Sequence, residues 1–163
     1  VKNSESKKGP TVILHQYDPI EGEEKYVQDK NNTGISKYSD GDDGTIFTLA
    51  NALNKAINLK KKIKEEKKLN YSIYLIKNIK PFNSKKFKEI VTENKSLICI
   101  EEHTLPGGLG SILSETITDL KINNNLVRIG VADKFINAGN NLECSKEADL
   151  DTDSIFKKIF KKN

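Results

Sequence analysis

The 163-residue sequence has no methionine and no tryptophan, only two cysteines and two histidines, and among 27 basic residues a single arginine, Arg128. Each shortage excludes something. Two cysteines, Cys99 and Cys144, cannot build a disulfide framework, so a reduced, intracellular protein is expected, cytoplasmic or organellar. One arginine leaves few forked side chains for the guanine and phosphate contacts that nucleic-acid readers favour, and no nucleic-acid partner is expected. The formal charge of +4, from 27 basic and 23 acidic residues, is mild and spread along the chain. The lysines therefore read as a solvated surface. No apolar run approaches the roughly 18 residues of a membrane span, and no secretory signal is visible, so no membrane partner is expected. A sequence that starts at Val1 and contains no methionine is expected to be a piece of something longer.

What is present alternates between strand and helix. Residues 1–8 are polar and charged and are predicted to be disordered. Thr11 to Leu14 is a candidate strand, and Tyr17 to Asp43 reads as a linker, closed by the turn Gly41-Asp42-Asp43-Gly44. Thr45 to Leu49 then starts a domain of residues 44–163. A helix is predicted over about Asn51 to Lys67, with Leu53, Ala56, Ile57, Leu59 or the stem of Lys60, and Ile63 as its inner stripe. Strands follow at Tyr71 to Ile76, Leu97 to Glu101 and Leu126 to Val131. Between the first two of these, Asn83 or Ser84 can cap a helix over Lys85 to Glu93 that turns Phe87, Ile90 and Val91 inward. Asp151 or Thr152 can cap a last helix, whose apolar face is Ile155, Phe156, Ile159 and Phe160. Strands alternating with helices imply right-handed crossovers and a mostly parallel sheet with helices on both faces.

The most informative stretch is Ile98-Cys99-Ile100-Glu101-Glu102-His103-Thr104-Leu105-Pro106-Gly107-Gly108-Leu109-Gly110-Ser111. It reads as a buried strand, a glycine turn and a helix carrying Ile112, Leu113, Ile117 and Leu120 at helical spacing. The glycines permit positive φ and close approach of the backbone. Backbone N–H groups at such a turn can face an anion or a neighbouring chain, which makes Gly107, Gly108, Gly110 and Ser111 candidates for binding.

His103 is the candidate catalytic residue, with Glu102 beside it. A histidine next to Glu101 and Glu102, just past the carboxyl end of a strand, can act as acid or base. The competing reading is that all three orient the turn or make subunit contacts. No metal site is expected, because adjacent residues of a strand point to opposite faces and no Cys or His completes a shell. Asp133 reads as a turn cap, and Asn78 and Lys80 as surface-loop residues before Pro81.

The Glu-Glu-His and Gly-Gly-Leu-Gly-Ser pair resembles the C-terminal domain of the transketolase family. That family includes transketolase, deoxyxylulose-phosphate synthase and the beta subunits of 2-oxoacid dehydrogenases. Ile79-Lys80-Pro81-Phe82, Asp40 to Ile46, and Arg128-Ile129-Gly130-Val131-Ala132-Asp133-Lys134-Phe135 with Gly139 resemble three further family segments. Gly9 to Leu14 resembles the last strand of the family's preceding domain. The resemblance implies a compact three-layer αβα domain with a roughly five-stranded, mostly parallel sheet. It implies that residues 1–43 hold the end of the preceding domain and the interdomain linker. In this family thiamine diphosphate and Mg²⁺ are held by other domains, so the chain itself is expected to bind neither and to be inactive alone. The implied partners are the preceding domains of the same enzyme and a second subunit of a homodimer. His15 lies near where the family grips a substrate phosphate with an arginine; gapless alignment places that arginine nearer Tyr17. The expected role is structural and dimer-supporting. The alternative is a stand-alone binding module that uses the N-terminus of the helix after the glycine turn.

Overall fold

The computed structural model describes residues 33–91 and 95–160. The candidate strand 11–14, the charged start at 1–8, His15 and the linker as far as residue 32 lie outside them. The described elements run β1 (Ile35–Ser39), β2 (Gly44–Thr48), α1 (Leu53–Lys67), β3 (Tyr71–Ile76), α2 (Ser84–Ile90), β4 (Ser96–Thr104), α3 (Leu109–Asp119), β5 (Leu126–Val131), α4 (Asn141–Glu147) and α5 (Thr152–Phe160). The strands form one sheet in the order β1-β3-β2-β4-β5. Strands β2 to β5 are mutually parallel, and β1 pairs antiparallel with β3.

Strand alternation builds the three layers. Ile46, Ile73, Ile98, Ile100 and Ile129 meet the inner stripe of α1 (Leu53, Ala56, Leu59, Ile63) and Ile155 and Phe156 of α5. Their neighbours Phe47, Leu97 and Cys99 meet Phe87 of α2 and Leu109, Leu113 and Ile117 of α3 on the other face. A central strand covered on both faces has no solvent side, so the start of β4 reads as a continuous apolar run, and in β2 the buried Thr45 and Thr48 hydroxyls bond to Ser72 and to the Ile100 carbonyl. Each fully buried Leu, Ile or Phe contributes about 1.5–3 kcal/mol relative to exposure. On α5 the expected apolar face holds: Ile155 and Phe156 are buried, while Ile159 and Phe160 pack half-buried against them. The α5 start is capped by Asp151, whose Oδ1 accepts from the backbone N–H of Asp153 and Ser154, each at 3.1 Å.

Three local readings change. Ile35–Ser39, within the stretch read as linker, is a strand at the sheet edge. Five residues with two apolar side chains and a register shift between Lys37 and Ser39 carry too little alternation to announce one. Helix α2 ends at Ile90, and Val91 is extended at ψ 108°. Helix α4 was not anticipated. Its signal was present, since Asn140 and Glu143 form a reciprocal capping box.

Because β2 to β5 are parallel, their carboxyl ends share one edge of the sheet. Ile79-Lys80-Pro81-Phe82 leaves β3 there, Glu101 to Gly108 ends β4 there, and Asp133 to Gly139 leaves β5 there. The Gly41–Gly44 turn enters β2 at the opposite, amino edge, pinned by Asp43 Oδ2 accepting from Asn70 N–H at 2.6 Å.

Candidate functional site

Along β4 the two glutamates separate by parity. Glu101 falls on the α3 side with Leu97 and Cys99, and Glu102 on the α1 side with Ile98 and Ile100. Glu101 is fully buried. Its carboxylate accepts from Leu109 N–H at 2.6 Å and from Gly110 N–H at 2.9 Å. A negative group is thereby set against the positive end of the α3 dipole, and it satisfies two backbone donors of the first turn. The N-cap residue, Gly108, has no side chain that could do so.

The glycines make room for that carboxylate. A Cβ on Gly108 would lie 2.0 Å from Glu101 Oε2, and one on Gly110 would lie 2.8 Å from Arg128 Nε and 3.1 Å from Glu101 Oε1. Gly107 is needed for its backbone instead. Its φ is +76°, and nothing lies within 4 Å of its would-be Cβ. Arg128 reaches in from β5, where it pairs in register with Cys99. Its Nη2 donates to the Leu105 carbonyl and to Ser111 Oγ, the latter at 3.0 Å. Ser111 Oγ also donates to the Leu105 carbonyl at 3.1 Å and accepts from Gly107 N–H at 3.0 Å. Gly130 lets β5 come this close, since a Cβ there would meet the His103 carbonyl at 2.9 Å and Glu101 Cγ at 3.2 Å.

Two of the sequence segments are therefore one device. Glu101, Gly108, Gly110 and Ser111 interlock with Arg128 and Gly130. Within this turn Glu101 makes the buried bonds, while the sequence singled out His103 and Glu102 as catalytic candidates. The available signal was a carboxylate placed directly after four apolar strand residues. His103 is exposed, and its Nδ1 lies 2.8 Å from the Thr104 carbonyl. Glu102 pairs with Lys55 of α1 at 3.1 Å, and Lys55 Nζ also donates to Ser145 Oγ of α4 at 2.6 Å. That half-buried pair ties α1, β4 and α4 together. Asp133, Asn78 and Lys80 are exposed on loops. Burial pushes the Cys99 thiol far up, with Glu101 adding to the effect and Arg128 opposing it. An uncharged, buried thiol of this kind is inert.

The anion that this helix N-terminus attracts is thus the chain's own. Among the described residues no group of three or more His, Cys, Asp or Glu side chains could hold a metal ion. At this glycine turn a diphosphate–metal group would meet the Glu101 carboxylate, so the turn itself does not fit the charged end of thiamine diphosphate. Among the described residues no helix is long and apolar enough to cross a membrane.

An open, mostly parallel αβα sheet with an internally capped glycine turn at its carboxyl edge defines a structural class of α/β domain. The family described as "Transketolase, C-terminal domain" matches residues 35–155, and the chain belongs to it. Curated relatives are 1-deoxy-D-xylulose-5-phosphate synthases. That of Chlamydia caviae is 26% identical over 151 residues, 92% of this chain and 23% of the relative. That of Blochmanniella pennsylvanica is 35% identical over 94 residues, 58% of this chain and 15% of the relative. The chain thus spans less than a quarter of the length of these relatives. Among solved structures, a split-gene transketolase described as an inactive beta4 tetramer superposes with a TM-score of 0.69 at 21% identity, covering 78% of this chain and 41% of that one. Transketolase from Campylobacter jejuni superposes with a TM-score of 0.60 at 10% identity, covering 81% and 19%. At these identities the superpositions show the shared fold.

Proposed function

We propose that this chain is the C-terminal domain of a thiamine diphosphate-dependent transketolase-type enzyme, of the deoxyxylulose-phosphate synthase kind. In this reading it is a structural and dimer-supporting part, and it is inactive alone. The observation that carries the proposal is that the family's motif residues are committed to internal bonds. Glu101, Arg128, Ser111 and the turn glycines hold β4, α3 and β5 together. The curated relatives are several times longer than this chain, which supports a reading in which the chemistry is carried out by domains outside it. The stand-alone anion-binding alternative is less well supported, because the Leu109 and Gly110 donors of the helix are already taken by Glu101.

The test is calorimetric titration of the chain with thiamine diphosphate and Mg²⁺, together with His103→Ala in the complete enzyme. No saturable binding is expected from the chain, and His103→Ala is expected to keep most turnover. Tight binding by the chain would overturn the reading. So would loss of turnover by about a thousandfold in a folded His103→Ala enzyme, a scale typical of a general acid–base residue.

A further inference from the structure

We infer that residues 133–147, the loop after β5 together with α4, open and close as one arm on an otherwise folded domain, with Lys55 as the latch. The inference does not depend on the function proposed above. No residue from Asp133 to Glu147 is buried, whereas the chain is anchored on both sides of that stretch, by Ile129 and Gly130 before it and by Ala148 and Leu150 after it. Of the arm's side chains, Ile136 packs half-buried against the core, while Phe135 and Leu142 stand exposed. A buried apolar face is what holds most helices to a fold. Helix α4 has no buried residue, so lifting it exposes little apolar surface.

The arm is nevertheless bound to itself. Lys134 Nζ donates to the Glu147 carbonyl at 2.8 Å. Asn137 donates to Glu147 Oε1 from Nδ2 at 2.8 Å and from its backbone N–H at 3.2 Å. Asn140 and Glu143 exchange the two bonds of the capping box, each at 3.0 Å. Cys144 Sγ lies 3.6 Å from the Asn137 carbonyl and 3.5 Å from that of Gly139. Loop and helix therefore hold each other's shape, and losing either removes the partners of the other. Such mutual support makes a cooperative unit rather than a set of independently fraying turns.

The latch comes from the first turn of α1. Lys55 Nζ pairs with Glu102 at 3.1 Å and donates to Ser145 Oγ at 2.6 Å. The Lys55 and Glu102 side chains are 18% and 27% exposed, so water and salt screen the pair less than they screen a surface pair. Glu102, at the end of β4, fixes the ammonium to the sheet, and the ammonium in turn holds the arm through Ser145. Opening would release that bond and carry Phe135 and Leu142 with the arm.

The experiment is residue-resolved native-state hydrogen exchange on the 163-residue chain, as wild type, Lys55→Met, Ser145→Ala and Lys61→Met. Lys61, exposed on the same helix, is the control. In the wild type, the amides of Asn137, Cys144 and Ala148 should share one opening equilibrium, at least about a hundredfold more frequent than that of the β2 amides, which exchange only on global unfolding. Lys55→Met should raise arm opening about tenfold relative to β2, the scale of one hydrogen bond to a charged group. Ser145→Ala, which leaves Lys55 and Glu102 paired, should also raise it, and Lys61→Met should not. Arm amides that open no more often than those of β2 would overturn the inference, because the arm would then be part of the rigid domain. Openings that differ among the three amides by more than about tenfold would overturn it too, as piecemeal fraying. If Ser145→Ala and a folded Lys55→Met changed arm exchange no more than Lys61→Met does, Lys55 would not be the latch.

Discussion

Gly108→Ala tests the central claim about the glycine turn. The added Cβ would sit 2.0 Å from one Glu101 carboxylate oxygen and 2.8 Å from the other, so the carboxylate must leave. Leaving breaks its hydrogen bonds to Leu109 and Gly110 N–H, at 2.6 and 2.9 Å. Hydrogen bonds to a charged group contribute about 1.5–3 kcal/mol each, so the expected loss is about 3–6 kcal/mol. Gly107→Ala is the internal comparison. Its φ of +76° penalises a side chain, but the space is open, and the left-handed conformation costs about 1–2 kcal/mol. For a domain of this size about 2–4 °C of melting temperature accompanies each kcal/mol, so Gly108→Ala should melt about 10 °C or more below wild type and Gly107→Ala about 5 °C below. Chemical denaturation gives the free energies directly. The mechanism also predicts strong non-additivity: in a Glu101→Ala background, Gly108→Ala should cost under about 1 kcal/mol, because nothing remains to displace. Equal costs in both backgrounds, or a Gly108→Ala no worse than Gly107→Ala, would refute the reasoning.

Two further outcomes follow from the described structure. Burial raises the Asp151 carboxyl, but bonds from Ser154 and Asp153 outweigh it and hold it below the usual aspartate range. A depressed folded-state value gives stability that is present above the unfolded value, about 4, and lost as pH falls through the folded one. Asp151→Ala should therefore cost about 1 kcal/mol at pH 7, as helix caps do, with the gap to wild type closing below pH ~4 in thermal melts; a gap independent of pH would disprove it. Cys99 is fully buried and Cys144 half-buried. A thiol reagent should titrate one cysteine in the native chain and two in denaturant, and rapid native labelling of both would show that the face covered by α2 and α3 is not closed.

The class of fold was legible in the sequence because burial on both faces leaves a one-dimensional trace. An apolar run such as Leu97 to Ile100 reads as a central strand from its own composition, and the 3.6-residue stripe of α1 needs no tertiary information to be seen. The glycine turn was legible for the same local reason, since a strand followed by Pro-Gly-Gly and a helical stripe admits few other readings. Edge and polar elements were not. β1 is held by pairing to β3 and not by its own pattern, and α4 has no buried residue, so only its capping box spoke for it. The assignment of labour within the site belonged wholly to tertiary structure. Sequence places Glu101, Glu102 and His103 side by side as equals. Strand parity sends the first under α3 and the second toward Lys55, while the third is left in solvent. Arg128 and Gly130, about twenty residues away in the chain, complete the turn because β5 lies beside β4, and sequence adjacency holds no record of which strands are neighbours.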